Sequence, residues 1–374
     1  MIFALFLTAV LGPVNIPEAR AFHSGGVGTC KGCHNMHQGE VSSDRLLKGS
    51  DPSSTCLNCH AGAGGPASNS VFSSDGSALT PGGDFYWLTK TFTWSTGSSS
   101  GESHGHNVIA GDFNLSRDSQ RNSAPGGTYP AADLACTSCH DPHGRIKGGT
   151  RKGSPPVSVS GSYGSQPAGG TNAGNYRLLG DADYIAPRDY DFSNKAPVAV
   201  QNFAEPYGES DSSHVDYGQG MSRWCTNCHS SYLNRDHSDS FSHRSGSTLQ
   251  MSHVDHYNSY VKTGDLSGTR STAYLQFVPF ERGTGDPSQL DPTSTAGPDQ
   301  NSRVMCLTCH RAHASAFRAA GRWDFDAELL ADSHPAPDDG GVSGNDVSYS
   351  YYGRDIENEF GSGQKSFCEK CHQQ

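Results

Sequence analysis

Apolar positions along this chain are sparse, and they seldom recur with the 3.6-residue period of a helix or the two-residue period of a strand. The clearest apolar run, Ile2 to Leu11, lies at the start and ends near Gly12 and Pro13. Ala19-Arg20-Ala21 then offers a small-x-small cleavage site. Residues 1–21 therefore read as a secretory signal, although its usual basic start is missing, and the mature chain is expected to begin at Phe22. The run is too short for a membrane span, and no later segment approaches that length. Thr89–Trp94 alternates well enough for a brief strand, while Ala314–Ala320 and Phe325–Ala331 suit short helices. Gly97–Gly101, Gly148–Gly174, Gly283–Gln300 and Pro335–Asn345 read as loops.

Composition sharpens this picture. Only 33% of the 374 residues are hydrophobic, and the chain holds 45 glycines and 20 prolines. With a mean hydropathy of −0.60, such a chain cannot bury enough aliphatic surface to offset the entropy of ordering it. Something other than side chains must supply the core. The formal net charge of −11 disfavours nucleic acid and anionic membranes as partners.

The missing mass is named by the cysteines. All 12 fall in six copies of Cys-x-x-Cys-His. The copies are Cys30/Cys33/His34, Cys56/Cys59/His60, Cys136/Cys139/His140, Cys225/Cys228/His229, Cys306/Cys309/His310 and Cys368/Cys371/His372. This spacing is the attachment signature of c-type haem, in which two thiols bond to the porphyrin edge and the adjacent imidazole reaches the iron. Zinc sites have no reason to place His directly after the second Cys in every copy. Disulfides within Cys-x-x-Cys would close loops too small to constrain the chain much. Six covalently bound haems c, each with its iron, are expected, and each motif should be followed by a short helical turn. The expected fold is mostly irregular, with short helices and few strands, wrapped around a continuous haem chain. Residues 22–374 then form a single unit, with one haem near each end.

Eighteen histidines are present, and twelve lie outside the motifs. Few methionines compete, so two imidazoles per iron is the economical reading, one that suits electron transfer and leaves no open coordination position. His37, His143 and His313 each follow a motif histidine by three residues. On a helical turn such neighbours cannot reach opposite faces of one iron, so the second should serve a different haem and tie two porphyrins together. His23 lies beside the cleavage site. His106 competes with His104, and His243 with His237, His253 and His256, while His214 and His334 are expected at the surface.

Several stretches away from the motifs add a resemblance. They include Phe22-His-Ser-Gly-Gly-Val27, Thr80-Pro-Gly-Gly-Asp-Phe85, Gly105-His-Asn-Val-Ile-Ala-Gly-Asp112, Ala124-Pro-Gly-Gly-Thr-Tyr-Pro130, Tyr217-Gly-Gln-Gly-Met-Ser222 and Tyr351-Tyr-Gly-Arg354. With these, the chain resembles the OmcS-type hexahaem cytochromes, which polymerise into extracellular filaments of metal-reducing bacteria. The resemblance implies parallel and T-shaped haem stacking, little secondary structure and head-to-tail assembly. It also implies distal ligands at His23, His37, His106, His143, His243 and His313, with His37 binding the fifth haem of the adjacent subunit. The segment Gln38–Ser54 is shorter here, and the loops at 145–175 and 283–300 differ, so contacts through them do not carry over. The expected role is non-enzymatic: a secreted electron conduit serving extracellular acceptors and other multihaem cytochromes. A monomeric exported electron shuttle is the rival reading. A multihaem reductase of oxyanions or nitrogen compounds would need a five-coordinate iron, which six regular motifs and surplus histidines argue against.

Overall fold

The structure, a computed structural model, describes residues 30–35, 46–62, 70–142, 176–182, 184–201, 208–232 and 244–373. Regular elements among them are few and short. The helices are α1 (Cys30–Cys33), α2 (Pro52–His60), α3 (Met221–Cys225), α4 (Met251–Ser259), α5 (Cys306–Cys309), α6 (Asp346–Ser350) and α7 (Ile356–Phe360). Strands β1 (Phe92–Trp94) and β2 (Gly97–Ser99), β3 (Ile185–Ala186) and β4 (Tyr190–Asp191), and β5 (Val198–Gln201) and β6 (Val215–Gln219) form three separate antiparallel pairs. Most of the remaining described chain is turn and coil.

Helical turns coincide with the motifs instead of following them. They are α1, α2, α3 and α5, with 3-10 turns at Cys136–Ser138 and Phe367–Lys370. A helical turn puts residues i and i+3 on one face, as two thiols bound to one porphyrin require. Past the motif the chain straightens: His310 has φ −114° and ψ 160°. His310 therefore ends the helical turn, and the chain then bends at Ala312 and His313, so the two histidines are not stacked on a helix.

Three other expectations need correction. Ala314–Ala320 is not a helix, because Ala319 and Ala320 lie in left-handed conformation and Ala320 pairs its carbonyl with Arg311. Phe325–Ala331 contains no α-helix and only runs into a 3-10 turn at Leu330–Asp332. Gly97–Gly101 is not loop alone, since Gly97–Ser99 is β2, paired in register with β1 through Phe92↔Ser99 and Trp94↔Gly97. The expected strand is the Phe92–Trp94 half of Thr89–Trp94. The Gly148–Gly174 segment lies outside the described residues.

A repeat emerges that was not read from the sequence. The first, third and fifth motif histidines each bridge a returning segment: His34↔Leu47, His140↔Leu179 and His310↔Gly321. In each case the residue after the histidine donates its N–H across the bridge at 2.7 Å, to the carbonyl of Leu46, Leu178 or Ala320. Those three acceptors all have positive φ, at 53°, 56° and 53°. The carbonyl of the motif's second cysteine accepts in return from Lys48, Gly180 or Arg322. Its trace in the sequence is Arg45-Leu46-Leu47 against Arg177-Leu178-Leu179, lost at Ala319-Ala320-Gly321.

No single aliphatic core exists among the described residues. Aromatic-rich clusters are strung along the chain instead, and each borders motif thiols or the turns that carry them. Tyr257, Phe277, Phe317, Trp323 and Phe367 pack against Cys309, Cys368 and Cys371. Leu57, Trp87, Phe92 and Val108 surround α2. Val215, Tyr217, Met221 and Met305 pack against Cys225, and Tyr129 and Phe192 against Cys228. Full burial of such a side chain contributes about 1.5–3 kcal/mol. No helix among the described residues is long and apolar enough to cross a membrane.

Candidate haem sites

The motifs succeed one another in space in the order they have in the chain. The Cys33 sulfur is an electrostatic neighbour of Cys56, whose thiol is in hydrogen-bond contact with Cys136. Cys139 neighbours Cys228, Cys225 contacts Cys306, and Cys309 neighbours Cys368 and Cys371. Six attachment points thus form an unbranched row.

Cys59 differs from the other described motif thiols. It is exposed, whereas Cys33, Cys56, Cys136, Cys139, Cys225, Cys228, Cys306, Cys309, Cys368 and Cys371 are half-buried. The cause lies in α2, which turns Ser53, Ser54, Thr55 and Leu57 inward and leaves Asn58 and Cys59, near its C-terminal end, on the solvent side. Cys59 therefore touches no aromatic cluster of the kind that lines Cys225 or Cys309. It still follows Cys56 by one helical turn, so the pair shares a face, and attachment to a porphyrin edge needs an accessible sulfur more than an enclosed one.

Two of the junctions are built alike. At the second-to-third, Ser53 Oγ accepts from the Cys136 N–H at 3.1 Å. At the fourth-to-fifth, Ser222 Oγ accepts from the Cys306 N–H, also at 3.1 Å. In both, the serine stands three residues before the earlier motif's first cysteine. The later motif closes on itself through Ser138 or Thr308, whose side-chain oxygen accepts from the N–H of Ala135 or Met305. These four hydroxyls were missed in the sequence, where the signals are Ser-x-x-Cys-x-x-Cys-His and Cys-x-[Ser/Thr]-Cys-His.

The imidazoles are oriented by backbone carbonyls. Nδ1 of His140, His229 and His310 lies 2.8 Å from the carbonyl oxygens of Arg177, Pro125 and Ala319. Nδ1 of His106 lies 2.7 Å from the Ala312 carbonyl, and that of His313 lies 3.4 Å from the Gly83 carbonyl. A carbonyl only accepts, so Nδ1 carries the proton and Nε2 is the nitrogen whose lone pair could serve a metal. Loss of hydration pushes His106 and His140 down to about 4 and His313 to about 3, which keeps them neutral donors at neutral pH.

Two pairs of these rings face each other. His106 and His229 have centroids 6.0 Å apart, and His140 and His313 are 6.3 Å apart. Two metal–nitrogen bonds of about 2 Å, plus the two half-widths of the rings, give roughly that separation. The spacing therefore fits one iron between each pair. His313 follows His310 by three residues but faces His140 of another motif. His313 is held in place by glycines: its N–H donates to the Gly82 carbonyl at 2.6 Å, and Gly83 and Gly105 press on the adjoining backbone.

Several other histidines have ring nitrogens engaged by other groups. His104 is fully buried, with Nδ1 at the Trp87 carbonyl and Nε2 at Ser99 Oγ. His214, expected at the surface, is 3% exposed, stacked 3.7 Å from Tyr274 and placed between the carbonyls of Val215 and Ser294. His334, also expected at the surface, is half-buried: it keeps 28% of its side chain exposed while stacking on Trp94 at 3.9 Å and meeting Asp339 at 2.6 Å. Both are drawn in because aromatic neighbours offer a flat apolar face. His256 Nε2 donates to the Glu369 carbonyl. His253 lies 5.0 Å from His372, edge to face, which is closer than an intervening iron would allow. His23, His37, His143, His237 and His243 lie outside the described residues.

A further observation fits haem. Arg311 and Arg322, both buried, share Glu209 Oε2 at 2.8 Å each. The Nη2 atoms of both arginines find no acceptor among the described residues. The carboxylates of a haem are the acceptors such guanidiniums suit.

Repeated Cys-x-x-Cys-His turns in a row, facing imidazoles and aromatic clusters around the thiols define a multihaem c-type cytochrome. The comparisons with known proteins agree. No family model matches the chain. The C-type cytochrome OmcS of Geobacter sulfurreducens is 39% identical over 416 residues, covering 96% of this chain and 95% of that protein. The structure of the Outer Membrane Cytochrome S filament from the same organism matches with a TM-score of 0.79, at 39% identity, covering 94% of this chain and 99% of that one. A cryo-EM structure of OmcS nanowires matches at 0.77 and 38% identity, with the same coverage. The chain belongs to the OmcS family of c-type cytochromes. Its haem c is accordingly covalently bound.

Proposed function

We propose that this protein is a filament subunit that conducts electrons outside the cell and catalyses no reaction of its own. The observation that carries the reading is the unbranched spatial order of the motif thiols from Cys33 to Cys371. Six haems c are held, at Cys30/Cys33, Cys56/Cys59, Cys136/Cys139, Cys225/Cys228, Cys306/Cys309 and Cys368/Cys371. Bound haem supplies the one-electron chemistry, and electrons pass along the row and across subunit ends to extracellular acceptors or other multihaem cytochromes.

The protein's own residues do the positioning. His34, His60, His140, His229, His310 and His372 are the proximal ligands, and carbonyls fix the rings of His140, His229 and His310. His106 opposes His229 and His313 opposes His140, as the 6.0 and 6.3 Å separations support. His23, His143 and His243 complete three further sites by resemblance to the family. His37 reaches the fifth haem of the next subunit, which gives a head-to-tail interface. Such an interface yields open filaments when its rotation does not close.

Electron microscopy of the extracellular fraction of cells expressing the protein tests the reading, together with a pyridine haemochrome assay. Filaments with six haems per chain are expected. Monomers alone would favour a diffusible shuttle, and five or fewer haems in matured protein would contradict the site assignment.

A further inference from the structure

The two serine-bridged junctions differ in one chemical respect. At the second-to-third, α2 is capped by Asp51, the residue just before it, which accepts from the Ser54 N–H at 2.8 Å and is only half-buried. At the fourth-to-fifth, the capping carboxylate comes from far along the chain. Glu281 Oε1 accepts from the Met221 N–H at 2.7 Å, and the Gly220 N–H also donates to this carboxylate.

Glu281 is 1% exposed. Its backbone is pinned on both sides. It pairs with Arg303 through hydrogen bonds of 3.0 and 2.8 Å, and it bridges Tyr217 of β6. Arg303 belongs to the segment that runs directly into Cys306. The carboxyl therefore sits where the Cys225 and Cys306 attachments meet. The charged group acting on it is Arg303; the Cys306 sulfur beside it becomes an uncharged thioether once haem is attached. Its neighbour Arg282 is engaged by Asp216 at 2.7 Å. Its hydrogen bonds are to backbone amides and not to the imidazoles of His229 or His310. Burial pushes the carboxyl up to about 7, against the pull of the Met221 amide and Arg303.

Resting on the haem sites proposed above, we infer that Glu281 couples electron transfer to proton exchange at this junction. A haem held at Cys225 or Cys306 would supply the redox change: its ferric iron would gain one electron from a neighbouring ferrous haem, and the local charge would fall by one. Added negative charge in a poorly hydrated region favours the neutral form of a nearby carboxyl. Glu281 then takes one proton from water, and reoxidation returns both. Linkage is reciprocal, so protonating Glu281 makes the same haems easier to reduce. The second-to-third junction, capped by a half-buried aspartate from the same turn, has no buried carboxyl in this place.

The test is a spectroelectrochemical titration of the purified holoprotein on either side of pH 7, with reduced-minus-oxidised infrared spectra on the same samples. The wild type should show pH-dependent potentials for the haems of this junction, by up to about 59 mV per tenfold change in proton activity. It should also gain a protonated-carboxyl band on reduction. E281Q keeps an oxygen acceptor for the Met221 amide and should lose the Glu281 share of both signals, read as the wild-type-minus-variant difference at unchanged haem content. The exposed Glu357→Gln should lose neither. A pH slope and carboxyl band in E281Q identical to those of the wild type would overturn the inference. Should E281Q fail to mature, Arg303→Met keeps the carboxyl, removes the opposing cation and should move the pH window upward. An unmoved window would count equally against Glu281. Haem content and filament formation are scored separately, so failure of either falls on the proposed function and not on this coupling.

Discussion

Gly83 offers a stringent test of how the chain positions a haem ligand. It has φ +97° and lies against the backbone carrying His313. A Cβ there would stand 1.9 Å from the Ala314 carbonyl oxygen, where contacts under 3.0 Å essentially never occur. In Gly83→Ala that oxygen must retreat by about 1 Å. It accepts the Asp84 N–H at 3.1 Å, so this bond breaks. A buried group left unpaired costs about 1–3 kcal/mol. Holding alanine at positive φ adds about 1–2 kcal/mol. The sum is a loss of about 2–5 kcal/mol. The retreat also drags His313 away from His140, against which it now stands at 6.3 Å. Denaturation of the purified holoprotein should report the instability, and low-temperature EPR should show one haem partly high-spin. Gly361→Ala is the control, because Gly361 has φ +90° but nothing within 4 Å of its would-be Cβ. It should cost only about 1–2 kcal/mol and leave the spectrum low-spin. If Gly83→Ala behaves like Gly361→Ala, the glycine contacts do not position His313 and the reasoning fails.

His313→Met should raise the potential of one haem while all attachments survive, since thioether ligation favours the reduced iron; an unchanged redox titration would make His313 a bystander. His37→Ala should retain six covalent haems but lose long filaments and make one haem per chain high-spin or responsive to added imidazole, and normal low-spin filaments would remove it from the interface. Burial alone would raise the Glu209 carboxyl, but the guanidiniums of Arg322 and Arg311 outweigh it and hold it below its ordinary value. Its stabilisation is therefore complete above the unfolded value of about 4.3 and is lost as pH falls through the lower folded value. Glu209→Gln should cost about 3–5 kcal/mol at neutral pH and flatten that acid limb, and an unaltered acid-unfolding curve would show the cluster is not held by this charge. Ser222→Ala strands the Cys306 amide and should cost about 1–3 kcal/mol with haem content intact, read by the same denaturation assay.

The cysteine motifs, the absence of an aliphatic core and the scarcity of regular elements were all legible in the sequence. The reason is chemical: covalent attachment needs fixed residue types at fixed spacing, and hydropathy reports directly what a chain cannot bury. Spacing did not tell the exposed Cys59 from its half-buried counterparts, because exposure depends on which side of α2 faces the rest of the chain. Pairing was only partly legible. The three-residue offset of His313 from His310 pointed to different irons for the two, but bent coil, not a helical turn, separates them. Spacing left His104 and His106 as rivals. Tertiary structure places His104 between Trp87 and Ser99 and turns His106 toward His229, because each ring nitrogen goes to whichever acceptor the folded chain supplies. The same holds for Ser53, Ser222 and Glu281, which meet partners 83, 84 and 60 residues away. No local pattern encodes such contacts. They exist only once the motifs have been brought into a row, and it is that row which brings distant carbonyls, hydroxyls and carboxylates against the same few cysteines.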